Sequence, residues 1–119
     1  MESALVKVAQ MLRDAAIAKE ASGGGRRDRQ LYSRMAKAYH QLQASGDAGQ
    51  RMIYELLADP SPSVRSWVAT ALLVEGDTSV RIALEELRTA AGPVGFNATT
   101  VLELYDASEL GHPFPKKAT

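Results

Sequence analysis

The chain has 119 residues and no cysteine. That absence excludes a disulfide framework, a cysteine-ligated zinc and a thiol nucleophile. Long apolar runs are missing too. Lys7, Arg13, Asp14 and Lys19 interrupt the stretch from Met1 to Ala21, so it reads as neither a signal peptide nor a membrane span. A cytoplasmic protein with no membrane partner is expected. Histidine occurs only at His40 and His112, with no carboxylate or second histidine at ligand spacing nearby, so no metal site is expected. No useful length of sequence alternates with period two, which leaves strands without support. Net charge is lacking as well: 14 basic side chains balance 14 acidic ones, whereas a dedicated nucleic-acid binder carries a clear positive excess.

What is present is enough apolar material, 45% of residues, to fill one core. At this length a single domain buries roughly two thirds of its unfolded surface. The apolar residues recur with the helical period throughout. Leu5, Val8, Ala9, Leu12 and Ala16 mark a first helix over residues 1–21, and Ser22-Gly23-Gly24-Gly25 stops it. Residues 22–27 then read as a flexible linker. Asp28 is placed to cap a second helix carrying Leu31 or Tyr32, Met35, Ala38, Tyr39 and Leu42 inward, ending near Ser45-Gly46. Asp47 opens a third, with Met52, Ile53, Leu56 and Leu57 inward, and Asp59-Pro60 ends it.

Ser61 as N-cap and Pro62 at the first helical position start a fourth helix, whose inward stripe is Val64, Trp67, Val68, Ala71 and Leu72. Gly76 suits its C-terminal turn. Asp77 or Thr78 then caps a fifth helix bearing Val80, Ala83, Leu84 and Leu87, which Gly92-Pro93 closes. A sixth is expected from about Phe96 to Ser108, burying Ala98, Val101, Leu102 and Tyr105, and residues 111–119 form an extended tail. Helices three and four make one antiparallel hairpin and five and six another. Such pairs cannot bury their stripes alone and must stack. The fold class expected is all-α: a HEAT/armadillo-like right-handed stack of about six helices, an α-α superhelix, with the hairpins spanning residues 28–110.

The turn Asp59-Pro60-Ser61-Pro62-Ser63-Val64-Arg65, followed by Ala69, Ala71 and Leu72, resembles the inter-helix signature of HEAT repeats. With Asp28-Arg29-Gln30-Leu31-Tyr32-Ser33-Arg34-Met35 upstream, and Ala83 to Leu87 and Gly95 to Leu104 downstream, residues 27–110 resemble a small bacterial HEAT-like family catalogued as a domain of unknown function. The resemblance implies a helical-repeat fold. It also implies that Arg65 pairs with the acidic residue of the preceding turn, Asp59, and so serves the fold more than a partner. The chain departs from the usual alanine-rich second helix by having Trp67, which lies on the inward stripe and reads as core.

Chemistry has little to stand on. Ser22-Gly23-Gly24-Gly25-Arg26-Arg27 is no phosphate loop, since no strand precedes it and no Gly-Lys-Ser/Thr follows. No Ser-His-Asp or nucleophile-elbow pattern occurs. Paired acids such as Glu85-Glu86, or Glu103 with Asp106, lack a burying pocket or metal and solvate helix surfaces. No catalytic residue, no cofactor and no small-molecule substrate is therefore expected. Charge, by contrast, is unevenly placed. Residues 1–72 hold ten basic against seven acidic side chains, a balance of +3, whereas residues 73–110 hold two against seven, a balance of −5. A surface built from Glu75, Asp77, Glu85, Glu86, Glu103 and Asp106 would suit a basic protein, as an immunity protein suits the nuclease or other toxin domain it neutralises. A regulatory or structural adaptor with no toxin target is the alternative. A lesser one is nucleic-acid binding through Arg26, Arg27, Arg29, Arg34 and Lys37 of the second helix.

Overall fold

Three consecutive glycines reverse the chain after its first helix. In the computed structural model, which describes residues 2–115, Gly23, Gly24 and Gly25 have φ of 73°, 99° and 86°. This left-handed region strains residues with a Cβ, so the glycines make a tight turn. Helices α1 (Glu2–Ser22) and α2 (Arg26–Gln43) flank it and pack along each other. Val8, Leu12 and Ala16 bury against Leu31, Met35, Ala38, Tyr39 and Leu42 as the stripes predict, Ala15 is buried beside them outside the expected stripe, and Leu5 and Ala9 are only half-buried. Asp28 does not cap α2. Gly25 occupies the cap position and the helix begins two residues before Asp28, in whose first turn an acidic side chain favours the dipole. Asp28 instead accepts from Ser22 Oγ at 2.6 Å and pairs with Lys19 Nζ at 2.9 Å, stitching the two helices at the turn. These contacts hold its carboxyl below the ordinary carboxylate range.

Helix α3 (Gly46–Glu55) opens one residue before Asp47 and runs into a 3-10 turn, Leu56–Ala58. It lies against α1 and α2. It barely touches α4 (Pro62–Val74), so the expected hairpin of the third and fourth helices meets chiefly at the 3-10 turn that joins them. Ser61 caps α4, its side chain accepting from Val64 N at 3.4 Å, and Pro62 is the first helical residue. Beyond the expected stripe, Ala69, Thr70 and Leu73 are buried as well, which encloses α4 on nearly every side. Gly76 and Asp77 close the helix by donating their backbone N–H groups to Leu73 and Leu72, with Gly76 at φ 107°, the αL cap that glycine permits.

The Asp59 turn departs from expectation. Arg65 reaches back to it, but Nη1 donates to the Asp59 backbone carbonyl at 2.6 Å. The Asp59 carboxylate is taken from elsewhere: Arg13 Nε on α1 lies 2.7 Å from one oxygen and Ser61 N 2.9 Å from the other. The Asp-Pro turn folds the carboxylate over the following N–H and toward α1, leaving only the carbonyl in reach of α4.

A 3-10 turn, Thr78–Val80, leads into the short α5 (Arg81–Leu87), and α6 (Pro93–Asp106) packs on both α5 and α4. Gly92-Pro93 begins α6, three residues before the expected start, because proline at the first helical position gives up an N–H that has no helical partner there. All regular elements among the described residues are helical. Residues 107–115 do not run out into solvent; they fold back over α2 and α4 and bury Phe114. The rest of the expected tail, residues 116–119, lies outside the described residues.

Two helical glycines let elements approach. A Cβ on Gly49 would stand 1.8 Å from the Leu42 carbonyl oxygen, and one on Gly95 would stand 2.0 Å from that of Ala90. Alanine in a helix normally gains about 1 kcal/mol over glycine. Gly49→Ala and Gly95→Ala should instead destabilise by ~1–3 kcal/mol, since backbone must move to admit the methyl group. Urea titration of both variants checks this, and a stabilised variant would show that the close approaches relax freely.

Candidate functional site

The six acidic residues proposed for partner binding fall into two groups. Glu75, at the C-cap of α4, accepts from Tyr39 Oη at 2.7 Å and Gln43 Nε2 at 2.8 Å, and lies 2.8 Å from His112 Nε2. Asp77 accepts from the backbone and hydroxyl of Ser79 and from the Tyr54 hydroxyl. The Ser79 and Tyr54 hydrogen bonds hold its carboxyl below the usual range. Both side chains therefore belong to internal networks. The other four ride on α5 and α6. Arg81 Nε lies 2.9 Å from Glu85, while its two terminal nitrogens grip Asp106 at 2.7 and 3.1 Å. This fork pins the start of α5 to the end of α6 and lowers the Asp106 carboxyl below its usual range. Glu86 and Glu103 are exposed, and their carboxylates form no hydrogen bond or ion pair among the described residues.

Two large apolar side chains share these helices with the acids. Ile82 is 63% exposed, beside Arg81, and Phe96 is 73% exposed. Phe96 and Glu103 are seven residues apart and so lie on one face of α6. The sequence pattern placed Phe96 at a helix start and gave no sign that its ring would stand in solvent. Five cations of α2, Arg26, Arg27, Arg29, Arg34 and Lys37, are also exposed, and none is in an ion pair among the described residues.

Around Trp67 on α4, aromatic rings gather. The Phe114 ring, 1% exposed, stacks on Trp67 with centroids 5.5 Å apart and planes 22° from parallel. It also meets Tyr39 at 5.2 Å and Tyr32 at 6.0 Å. The Tyr32 hydroxyl donates to the Pro113 carbonyl. Trp67 is thus half-buried, covered by the tail on one side, with Lys19 Nζ 5.5 Å from its ring centre. Burying a phenylalanine in this way stabilises by ~1.5–3 kcal/mol before the cost of ordering the tail. Sequence reading missed this seat, although a phenylalanine between two prolines is an odd occupant for a solvated tail. Beside it, Ser66, Trp67, Thr70, Val94, Val101 and Pro113 help line a cleft of about 340 Å³.

The His112 and Glu75 pair invites a catalytic reading, which its geometry does not favour. Phe114 N donates to His112 Nδ1 at 2.9 Å, so Nε2 carries the proton that faces Glu75. Both ring nitrogens are committed, leaving none to take a substrate proton. His40 has both ring nitrogens buried without a hydrogen-bond partner, and edges a cleft shared with Gln43, Glu75 and His112. No cluster of three or more potential metal ligands occurs among the described residues, and no helix is long and apolar enough to cross a membrane. Compared with known protein families, with curated proteins and with solved structures, the chain finds no match.

Burial, and then the Glu75 carboxylate that accepts its hydrogen bond, push the Tyr39 phenol well above its ordinary value of 10.0. A tyrosine in the unfolded chain releases its proton at about pH 10 while the folded one keeps it, so stability present below that pH is lost as pH rises past it. Tyr39→Phe should flatten this alkaline fall, whatever the substitution costs at neutral pH. Urea midpoints followed from about pH 8 to 11 provide the check, and equal slopes in the two proteins would remove Tyr39 from the account.

Proposed function

We propose that this chain is a protein-interaction module of the HEAT-like type, working through the outer surface of α5 and α6, and in its most concrete form a cytoplasmic immunity protein that neutralises a basic toxin domain. The observation that carries this reading is the pairing of Phe96 and Ile82, both largely exposed, with the unpartnered carboxylates Glu86 and Glu103 on the same two helices. Aromatic and aliphatic anchors set among charges are what protein interfaces use for affinity and for steering. The Arg81 fork supports it further by holding Glu85 and Asp106 in fixed positions, so that little side-chain freedom is lost on binding. Glu75 and Asp77, held by Tyr39, Gln43, His112, Tyr54 and Ser79, contribute fixed charge next to this surface.

Nucleic-acid or acidic-protein binding through α2 is the second reading, favoured by the five exposed, unpaired cations there. The HEAT-like assignment rests on the Asp59-Pro60 turn, the capped α4 and the stacked pair α5 and α6. Fold alone does not specify function, which leaves the toxin target to experiment.

The test is co-expression with the product of the reading frame immediately upstream. The wild-type chain should protect cells and bind that protein with an on-rate that falls with salt, over a Debye length of ~8–10 Å. Phe96→Asp combined with Glu86→Lys and Glu103→Lys should weaken binding by roughly 100-fold or more while leaving circular dichroism unchanged. Reversing Arg26, Arg27 and Arg29 should leave it intact. If the wild-type chain gives no protection, or if only the arginine reversals abolish capture, the α5 and α6 reading falls.

A further inference from the structure

The chain carries its own ligand in the groove between α2 and α4. We infer that this groove is a recognition site for an extended partner segment carrying an aromatic residue flanked by prolines, and that the tail Leu110-Gly111-His112-Pro113-Phe114-Pro115 occupies it as an intramolecular competitor. The groove rests on none of the residues proposed above for partner binding, Ile82, Glu86, Phe96 and Glu103, although the tail borders α6 at Val94 and Val101.

The way the tail is held has the features of peptide recognition. One side chain does most of the anchoring: Phe114 is 1% exposed, sandwiched among Trp67, Tyr39 and Tyr32 at 5.2 to 6.0 Å. One backbone carbonyl, of Pro113, is read by the Tyr32 hydroxyl. One side contact, His112 Nε2 to Glu75 at 2.8 Å, fixes direction along the groove. No helix or strand forms in residues 107–115, so nothing in the tail's own secondary structure keeps it there. Proline-flanked segments lose little conformational freedom on docking to aromatic-lined grooves, which explains how so short a contact suffices.

The walls of the groove, in turn, come from the helices. Tyr32 and Tyr39 lie on α2 and Trp67 on α4, and Tyr32 and Trp67 touch each other directly at 6.1 Å. The Glu75 carboxylate is positioned by Tyr39 and Gln43. A site whose walls belong to the helices can take any segment of matching chemistry. The tail's advantage is tethering, which gives it an effective concentration of roughly millimolar. A partner segment must therefore outcompete it or meet the chain when the tail is released.

Trp67 is the only tryptophan, and Phe114 stacks on it, so its fluorescence reports the occupancy of the groove directly. The probe is a synthetic peptide copying residues 109–115, titrated into the full-length chain and its variants. In Phe114→Ala, Trp67 emission should shift, and the peptide should restore the wild-type spectrum saturably. Its apparent affinity for the wild-type chain should be at least tenfold weaker, because the tethered tail competes. His112→Ala, which keeps Phe114 but removes the contact with Glu75, should fall between the two, and it supplies the measurement should Phe114→Ala fail to fold. The same peptide with alanine at the phenylalanine position should have no effect on any of them. Equal affinity for wild type and variants, or no spectral recovery in a folded variant, overturns the inference. So does a wild-type chain that elutes as a dimer while Phe114→Ala elutes as a monomer, since the groove would then serve tail exchange between two copies.

Discussion

A helix that is apolar on almost every side has to be surrounded, and α4 sets that requirement for the whole molecule. With Val64, Val68, Ala69, Ala71, Leu72 and Leu73 all buried, no single neighbouring helix can cover it. Helix α1 takes one flank, α5 and α6 take another, and the 3-10 turns before and after it close the ends. The remaining side, where Trp67 lies, is left to α2 and the returning tail. Leaving any of these flanks wet would cost ~25 cal/mol for each Å² of apolar surface exposed. Position along the chain thus matters less than coverage: α1 and residues 107–115, at opposite ends of the sequence, serve the same helix.

Asp59 fixes how that enclosure is oriented. Its carboxylate ties the entry of α4 to Arg13 on α1, while its carbonyl engages Arg65 on α4 itself, so two arginines from different helices converge on one turn. The side chain is largely shielded, at 8% exposure, where charge-assisted hydrogen bonds count for more than on an open surface. Elsewhere the charges are used more loosely. The Arg81 fork is exposed and contributes mainly order, and the α2 cations are exposed and form no ion pair among the described residues.

The parts of this architecture legible in the sequence are those decided within a few residues. Ser61-Pro62 announces the start of α4, Gly76-Asp77 its end, and the helical stripes name Val8, Leu12 and Ala16 of α1 and all five buried residues of α2, because caps and periodicity are local chemistry. Gly92-Pro93 shows the limit of local reading: the same dipeptide can end one helix or begin the next, and here it begins α6. What the sequence hid was competition at long range. The resemblance to a HEAT turn implies a pair between Arg65 and Asp59, but Arg13 approaches from 46 positions away and takes the carboxylate. Trp67 reads as core by its stripe, yet its half-buried face is completed by a phenylalanine 47 positions later whose destination no local rule encodes. For the candidate site, the acidic bias of the second half was visible in the sequence. Which carboxylates are spent on internal partners depends on tertiary neighbours such as Tyr39, Tyr54 and Arg81.

The close approaches at Gly49 and Gly95 link two kinds of sequence change that are usually independent. Each glycine follows a short connection, and each faces a carbonyl of the segment just before it, Leu42 or Ala90. Lengthening either connection by a residue would swing that carbonyl away and open the position to larger side chains; restoring the length would close it again. In diverging descendants of this chain, then, residue identity at 49 and 95 should travel together with loop length, and a change in one without the other would meet a steric barrier.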